Sequence, residues 1–298
     1  MIANLSSGTG KVVLLGASGK LGQMLRQMWP VPDDLVCHSR YERPGFVSFD
    51  LCRDLDAARK HLEHARAVVC LSGVTPRHAS QSGDALSLNT DLALAAVHAA
   101  HGAGVGRVFL VSSASVYGRA GGVLHESGRC EPLSDYGRAK LDMEKAGLKE
   151  ALDIGQQTTV LRIGNVAGAD SILGGWTADM AIDQLSDGRT PRRSYIGPEA
   201  LASVVCRLTQ VVGLPDIMNV AAPGTVEMGR LLDAADLPWV PRKAAENVIE
   251  DVELSTGRLG QHVRGGALIS TAAGLVAEWR RFTQNDRGHQ HDLAQAYL

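Results

Sequence analysis

A short apolar segment near the start of this chain runs directly into a glycine turn and then into a helical pattern. Residues 11–16 (KVVLLG) are mostly aliphatic and end on glycine, which is typical of a strand buried on both faces of a sheet. Residues 20–28 carry apolar side chains at helical spacing, and Pro30 closes the repeat. A buried strand followed so closely by a helix indicates an α/β fold built on a parallel sheet.

Strands and helices continue to alternate through the first part of the sequence. Buried strands are predicted at residues 35–37, 46–49, 67–71, 108–112 and 159–163, and helices at about 54–65, 84–102 and 136–151. After Asn165 the pattern loosens, with helices predicted near residues 176–187 and 198–212. We therefore predict a doubly wound parallel sheet over residues 1–164 and a smaller lobe over residues 165–298 that is interleaved with it.

The overall charge and the cysteine spacing exclude several kinds of partner. The 30 Lys and Arg residues against 32 Asp and Glu give a formal net charge of -2, so the chain lacks the basic surplus that binds nucleic acid. No apolar run approaches the roughly 18 residues of a membrane-spanning helix, and the first residues lack the pattern of a signal peptide. The cysteines are far apart and match neither a disulfide framework nor a metal site. We expect a cytoplasmic protein that acts on a small molecule.

The glycine turn has the spacing G-x-x-G-x-x-G, with Gly16, Gly19 and Gly22 in GASGKLG. Glycine at these positions lets the backbone turn tightly and approach a pyrophosphate, which then rests on amide groups at the positive end of a helix. The other interpretation is a tight turn that binds no ligand. The position of the motif between a strand and a helix favours a dinucleotide cofactor.

The segment CHSRY, at the end of the second predicted strand, bears on the choice of cofactor. An acid at this point would bond the ribose hydroxyls of NAD, but Ser39 stands there and Arg40 follows. A guanidinium would attract the 2′-phosphate of NADP. The sequence therefore favours NADP, while Glu42 nearby leaves NAD possible.

Tyr136 and Lys140 occur in YGRAK, and a helix would put them on one face because residues four apart are neighbours there. Such a pair is common by chance and could belong to an ordinary amphipathic helix. Ser112 and Ser113, however, end a predicted strand at the carboxyl edge of the sheet, where ligands of parallel sheets bind. Moving a hydride to or from a carbinol carbon requires a proton transfer at its oxygen, and a tyrosine beside an ammonium can supply it.

With these motifs, the sequence resembles the extended short-chain dehydrogenase/reductase family of nucleotide-sugar epimerases, dehydratases and keto-sugar reductases. The shared segments span nearly the whole chain and include GASGKLG, LSGV, SSASVYG, YGRAK, LRIGNVAG and RSYIGPEALA. The resemblance implies a Rossmann-type sheet, a C-terminal substrate lobe and an NAD(P)-dependent oxidoreductase or epimerase. It assigns Tyr136 as the general acid/base, Lys140 as the residue that lowers its pKa and holds the nicotinamide ribose, and Ser113 as the residue that bonds the substrate oxygen.

The resemblance also assigns residues to the cofactor and the substrate. Asp50 and Leu51 would border the adenine, and Asn165 would face the substrate. Further cofactor contacts would come from the glycine turn, the end of the second strand and the middle of the site, at Gly16, Ser18, Gly19, Lys20, Leu21, Gly22, Ser39, Arg40, Leu71, Ser72, Gly73, Ile163 and Gly164. Family members commonly dimerise through helices such as those predicted at 84–102 and 136–151, so a homodimer is an expectation.

Two departures from the family pattern bear on the reaction. In family dehydratases an Asp-Glu pair follows the catalytic hydroxyl residue, but Ala114 and Ser115 stand at those places here, which disfavours a 4,6-dehydratase. The motif that ends at Gly168 lacks the tyrosine that often precedes this glycine. The sequence therefore leaves the identity of the substrate open.

The sequence also leaves open two alternative functions and the role of one group of arginines. A non-catalytic dinucleotide-binding sensor or assembly protein is one alternative, although the intact YGRAK counts against it. A reductase of a non-sugar carbonyl is another, because fold and cofactor do not determine the substrate. The arginine-rich link in the lobe is either a solvated charge run or a set of donors for a diphosphate-bearing substrate, with the candidates Arg189, Arg192 and Arg193.

Overall fold

The computed structural model describes residues 10–119, 122–263, 268 and 270–296, with side chains through residue 284. Its strands are β1 (Val12–Leu15), β2 (Leu35–Ser39), β3 (Val47–Ser48), β4 (Ala67–Cys70), β5 (Arg107–Ser113), β6 (Val123–Leu124), β7 (Thr158–Ile163), β8 (Asn165–Val166), β9 (Ala181–Gln184), β10 (Arg192–Arg193), β11 (Tyr195–Ile196), β12 (Ile217–Val220), β13 (Val226–Glu227), β14 (Val240–Lys243) and β15 (Asp251–Leu254). Its α-helices are α1 (Lys20–Met28), α2 (Leu55–Leu62), α3 (Pro76–Ser82), α4 (Leu88–Gly102), α5 (Asp135–Ile154), α6 (Pro198–Leu208), α7 (Met228–Ala234), α8 (Gly257–His262) and α9 (Ala272–Ala296). Within the described residues, no helix has both the length and the apolar character of a membrane span.

Seven parallel strands form the main sheet, in the order β12-β7-β5-β4-β1-β2-β3. The strands β1, β4 and β7 are buried along their whole length, as expected for a parallel sheet covered by helices on both faces. The strand order reverses between β1 and β4, and ligands of such sheets bind at the carboxyl ends of the strands at this point. The doubly wound parallel sheet predicted from the sequence is confirmed.

The side chains of β1 alternate between two apolar cores, one on each face of the sheet. Val12 and Leu14 join a core that includes residues of α1 and α6, and Val13 and Leu15 join a core that includes residues of α2, α4 and α5. The buried face of α4 consists largely of alanines, and these small side chains let the helix lie close to its neighbours. The two cores therefore cover both faces of the main sheet.

The smaller lobe is built from short strands and its own apolar core. Four strands pair in the order β13-β10-β15-β6, and two further pairs form between β8 and β11 and between β9 and β14. Leu231 and Leu232 of α7 and Leu275 of α9 are buried in this third core. Both α6 and β12 lie beyond residue 165 yet belong to the main sheet and its covering layer, as an interleaved arrangement requires. The division at residues 164 and 165 stays a prediction.

From residue 165 onward the sequence predicts only two helices, and the structure departs from this by the strands β8 to β15 and the helices α7 to α9. The helix predicted near residues 176–187 is wrong, because the strand β9 lies there and pairs in parallel with β14. Met180 and Ile182 alternate at strand spacing, but Leu185, three residues further on, also fits a helical repeat. The strand β12 was not predicted, because it has only four residues and a polar Asn219 within them.

Candidate active site

The glycine turn lies between β1 and α1, at the carboxyl edge of the main sheet. Gly16 has a φ of 76°, and a Cβ there would lie 2.7 Å from the backbone nitrogen of Ser72. A Cβ on Gly22 would lie 2.5 Å from the Cα of Ala17, so this glycine lets α1 approach the turn. Gly19 is the N-cap residue just before α1, and no side chain caps the helix there, so amide groups of the first helical turn can donate to an anion. The turn therefore fits a pyrophosphate.

Residues from neighbouring strand ends surround this turn. The Oγ of Ser39, at the end of β2, lies 3.3 Å from the Oγ of Ser18. Leu71 follows β4, and its N–H donates to the carbonyl oxygen of Leu15 at 2.9 Å, which carries Ser72 to the side of the glycine turn. The ends of β1, β2 and β4 thus bring together most of the residues predicted to contact the first half of a dinucleotide.

Arg40, on which the prediction of NADP depends, is an exposed side chain between two acids. Its Nε lies 3.3 Å from Oδ2 of Asp50, and its Nη1 lies 3.9 Å from Oδ2 of Asp84. Leu51, beside Asp50, is buried. Sequence reasoning missed Asp84, because it is far from Arg40 along the chain and only the fold brings the two together.

Lys140 is a buried lysine of α5 that lies against the carboxyl end of β5. Its Nζ donates to the carbonyl oxygen of Val111 at 3.0 Å and lies 6.0 Å from the ring centre of Tyr136. A Cβ on Gly73 would lie 3.2 Å from the same Nζ, so the absence of a side chain lets the loop after β4 pass close to the amine. The helix brings Tyr136 and Lys140 together, as the spacing in YGRAK predicted.

Burial changes the acidity of both groups. Desolvation lowers the pKa of Lys140 to about 8, although Cys70 and Glu144 act to raise it. Burial also raises the pKa of the Tyr136 phenol. This direction is opposite to the one that catalysis requires, so the ammonium at this distance does not offset the loss of hydration. A phenolate here needs additional positive charge, which a cationic nicotinamide would supply.

The two serines at the end of β5 face different surroundings. Ser112 is buried, and its Oγ donates to Oε1 of Glu144 in the core. Ser113 is partly exposed, and its Oγ accepts the N–H of Ser115 at 3.2 Å. Ser113 is also the register partner of Ile163, at the end of β7. Of the two hydroxyl groups, only that of Ser113 is open to a ligand.

Asn165 lies where the chain passes from the main sheet into the lobe. Its register partner in β11 is Tyr195, whose phenol donates to Oδ2 of Asp170 at 3.1 Å. Asp170 accepts a hydrogen bond from the backbone N–H of Gly174. The Nζ of Lys20 donates to the carbonyl oxygen of the same Gly174 at 3.2 Å. Lys20 thus connects the glycine turn to the lobe, a contact that the sequence did not indicate.

Buried polar residues that sequence reasoning did not single out support the site. Asn89 of α4 accepts the N–H of Val74 and donates to its carbonyl oxygen, which holds the loop beside Lys140. Glu144 of α5 and Arg162 of β7 form a buried ion pair, with 2.7 Å between Nη2 and Oε2. Each of these three residues is polar but stands where the helix or strand pattern expects an apolar core residue, and this is the sequence signal that could have identified them.

The three arginines of the link in the lobe differ in their partners. Arg189 is exposed and paired with Asp187. Arg192 lies within ion-pair distance of two acids of neighbouring strands. Arg193 donates to the carbonyl oxygens of Arg192 and Glu250, and burial lowers its pKa. Among the described residues, Arg193 has no acidic partner at ion-pair distance, so it is the best of the three candidates for an anionic ligand.

Comparisons with known proteins agree with this architecture. The model of the NAD dependent epimerase/dehydratase family matches residues 12–221. No match was found among curated proteins.

Several solved structures share the fold over nearly their whole length. MoeE5 in complex with UDP-glucose and NAD has a TM-score of 0.70 and 21% identity, covering 93% of this chain and 99% of that chain. The UDP-glucuronic acid 4-epimerase from Bacillus cereus has a TM-score of 0.73 and 17% identity, covering 92% and 99%. DesIV, a dTDP-glucose 4,6-dehydratase from Streptomyces venezuelae, has a TM-score of 0.71 and 18% identity, covering 93% and 98%. At these identities the likeness concerns the fold.

Proposed function

The chain belongs to the NAD dependent epimerase/dehydratase family, and we propose that it transfers a hydride between a nicotinamide dinucleotide and a carbon of a nucleotide-activated sugar. Proteins of the same fold support the substrate class, since their names record UDP-glucose or UDP-glucuronic acid together with NAD. Epimerisation and reduction require the same side chains, so the proposal includes both.

The buried amine of Lys140 is the observation that carries this proposal. A desolvated charge is costly to keep in a protein, and such groups concentrate at functional sites. Here the amine lies 6.0 Å from the ring centre of a partly exposed tyrosine, Tyr136, at the strand end that carries Ser113. A phenol, an ammonium and a hydroxyl in this order are what proton transfer at a carbinol oxygen needs.

Each of these residues has a defined task at the substrate oxygen. In the oxidative direction the Tyr136 phenolate accepts the hydroxyl proton as the hydride leaves the carbinol carbon, and in the reductive direction it returns that proton. The bound dinucleotide supplies the chemistry of accepting or returning the hydride. Ser113 donates a hydrogen bond to the substrate oxygen. Lys140 stabilises the phenolate and holds the nicotinamide ribose.

We propose NAD as the working cofactor, with NADP as the alternative. The sequence favours NADP because of Arg40, but this guanidinium lies beside Asp50 and Asp84, which offset its charge. A 2′-phosphate would approach two carboxylates there, and like charges repel. NADP would be preferred if Arg40 leaves these acids when the cofactor binds.

We propose epimerisation or reduction in preference to dehydration. Elimination of water requires an acid and a base that act on neighbouring positions of the sugar. The residues after Ser113 are Ala114 and Ser115 of a short 3₁₀ helix, and neither carries a carboxyl group. The dehydratase among the proteins of this fold is therefore a weaker guide to the reaction than the epimerase.

A binding and turnover panel tests the function. The purified full chain is titrated with NAD, NADH, NADP and NADPH, and then incubated with UDP-hexoses, dTDP-hexoses, keto sugars and simple carbonyl compounds. We expect NAD or NADH to bind more tightly than the phosphorylated pair, and a nucleotide sugar to be epimerised, oxidised or reduced. Product formation is followed by nicotinamide absorbance and by chromatography of the sugars.

The same panel decides between this proposal and the two alternatives. Tight binding of a dinucleotide without turnover of any compound would indicate a sensor or assembly protein. Turnover confined to simple carbonyl compounds would indicate a reductase of another substrate class. The retained pair of Tyr136 and Lys140 counts against the first of these, because a binding protein has no need of a general acid/base.

We also propose that the chain forms a homodimer through α4 and α5. Leu152 of α5 is 82% exposed and Leu133, just before this helix, is 52% exposed. Leu133 precedes the first turn of α5 and Leu152 lies in its last turn, so exposed apolar side chains stand at both ends of the helix that a second copy would cover. Light scattering of the full chain gives its mass in solution, and a monomer at micromolar concentration would contradict the dimer.

A further inference from the structure

His38 is a buried histidine that links two backbone segments of the expected adenosine site. It is the fourth residue of β2, and only 2% of its surface is exposed. Its carbonyl oxygen accepts the N–H of Ala17 at 2.9 Å, so the backbone of β2 already touches the glycine turn. The ring lies between that turn and the segment that follows β3. None of the sequence motifs accounts for an imidazole at this place.

The two ring nitrogens have partners of opposite kinds. Nδ1 lies 3.2 Å from the backbone nitrogen of Gly16, which can only donate, so Nδ1 must accept. Nε2 lies 2.9 Å from the carbonyl oxygen of Phe49, which can only accept, so Nε2 must carry the proton. These partners select the neutral Nε2–H tautomer. An imidazolium would direct a second N–H at the N–H of Gly16 and lose that hydrogen bond.

The surroundings also favour the neutral ring. Burial lowers the pKa of His38, an effect that the Phe49 carbonyl and Asp50 partly oppose and that His61 of α2 reinforces. The ring of Phe49 lies 4.0 Å from that of His38 between centroids and stacks on His61 at 5.5 Å. The titratable groups that act on His38 from the elements packed against it are therefore one acid, Asp50, and one base, His61.

We propose that His38 is a positioning residue for the cofactor: its neutral ring holds the Gly16 turn and the Phe49–Asp50 segment together, and its protonation at acid pH releases the turn and weakens dinucleotide binding. The inference rests on the proposed function, because it requires the turn to hold a pyrophosphate and Asp50 to border the adenine. An anion binds less tightly when the N–H groups that donate to it are not held in position. The contacts that hold these N–H groups therefore affect the affinity as much as the N–H groups themselves.

The direction of the pH effect follows from the lowered pKa. Because burial disfavours the charged ring, His38 stays neutral above the reference histidine value of about 6.5 and gains its proton only below it. Binding that needs the neutral ring is therefore complete at neutral pH and is lost as the pH falls through the pKa of His38.

Dissociation constants for NAD between about pH 5 and pH 8 test this inference in three proteins. The unmodified chain should bind about tenfold more weakly at the acid end, which is about 1.4 kcal/mol. His38→Asn keeps an acceptor for Gly16 but cannot titrate, so its affinity should change little with pH. His61→Asn is the matched control, since it removes the other histidine beside Phe49 and should keep the loss of affinity at acid pH, displaced slightly toward neutral pH because His61 acts to lower the pKa of His38. ADP-ribose should show the same profiles, because only that half of the cofactor meets these segments and, unlike adenosine diphosphate, it has no terminal phosphate that titrates near pH 6.

Two results would overturn the inference while leaving the function intact. One is an affinity of the unmodified chain that does not vary with pH, and the other is an unchanged pH profile in His38→Asn. Failure of the unmodified chain to bind any dinucleotide at neutral pH would contradict the proposed function itself. Nitrogen NMR of the His38 ring in the unmodified chain needs no variant to fold. It should show the neutral Nε2–H tautomer, and the opposite tautomer would overturn the inference.

Discussion

Lys140 holds its amine where water hardly reaches it, and the free energy of this placement depends on pH. Its pKa falls from 10.5 to about 8, mainly through desolvation. Between these two values the unfolded chain binds more protons than the folded one, so the stability of the fold rises with pH across that window. Below about pH 8 the folded protein carries the full cost of the buried charge, on the order of 3 kcal/mol.

We expect Lys140→Met to stabilise the free protein at pH 7 by up to about 3 kcal/mol, because an apolar chain of similar length replaces a buried charge. The same variant should lose turnover and bind NAD more weakly. Urea unfolding at pH 7 and at pH 10 measures the effect, and the stabilisation should shrink at pH 10, where the amine is neutral in the folded state. A variant less stable than the parent at pH 7 would mean that the hydrogen bond to Val111 outweighs the desolvation.

Tyr136→Phe removes the one hydroxyl that we assign to proton transfer. We expect turnover to fall by at least about a hundredfold, with the dissociation constant of NAD nearly unchanged. Tyr117→Phe is the matched control, because its buried hydroxyl donates to Asn219 at 2.7 Å in the core below the site. That variant should lose about 1 kcal/mol of stability and keep its turnover. Equal turnover in Tyr136→Phe and the parent would refute the catalytic assignment.

The contact between β1, the glycine turn and α1 determines how closely a phosphate can approach the backbone. Gly22 faces inward, where a Cβ would lie 2.5 Å from the Cα of Ala17. Gly19 faces outward, and the nearest atom to a Cβ there is the carbonyl oxygen of Gly16 at 3.4 Å. Gly22 is thus required for helix packing, and Gly19 keeps space open in front of the helix amides.

This difference predicts opposite outcomes for two alanine variants. Gly22→Ala should lower the stability by about 1 to 3 kcal/mol, because the helix must move away from the turn. Gly19→Ala should leave the melting temperature nearly unchanged and weaken NAD binding at least about tenfold, because a methyl group would occupy the space in front of the amides. Thermal unfolding and NAD titration of both variants give the comparison. A Gly19→Ala protein that binds NAD as tightly as the parent would argue against a pyrophosphate at this turn.

A buried polar network connects the main sheet to the segment after β6, whose strand pairs with β15 of the lobe. Arg162 of β7 pairs with Glu144 of α5, lies 4.8 Å above the ring centre of Tyr117, and donates to the carbonyl oxygen of Glu126 at 3.3 Å. The carboxylate of Glu126 in turn accepts the N–H of Asn219 in β12. One arginine thereby joins α5, two strands of the main sheet and the segment after β6.

Removal of one partner from this network should destabilise the entire chain. We expect Arg162→Met to cost about 3 to 5 kcal/mol, because Glu144 would remain buried without its counter-charge. The double variant Glu144→Leu with Arg162→Met is the control and should cost clearly less, since no uncompensated charge remains. Urea unfolding of the two proteins gives both values. If the double variant were as unstable as the single one, packing rather than charge would explain the loss.

Local patterns in the sequence were enough to predict the core of the fold and the proximity of Tyr136 and Lys140. The six strands predicted in the first part of the chain lie in the main sheet, and the glycine turn stands between β1 and α1 as expected. Each of these features depends on residues within a few positions of one another, such as the four-residue spacing of Tyr136 and Lys140. Burial on both faces of a parallel sheet also leaves a continuous apolar run, which is among the clearest signals in a sequence.

Only the tertiary structure decided the features that join distant segments. The strand β9 exists because β14, about sixty residues later, pairs with it, and its own apolar spacing also fitted a helix. Arg40 lies between Asp50 and Asp84, and His38 has Gly16 on one side and Phe49 on the other. Hydrogen bonds and charges act over a few ångströms of space. Residues that are far apart along the chain can come this close once the sheet has formed, and their sequence separation does not indicate which of them will do so.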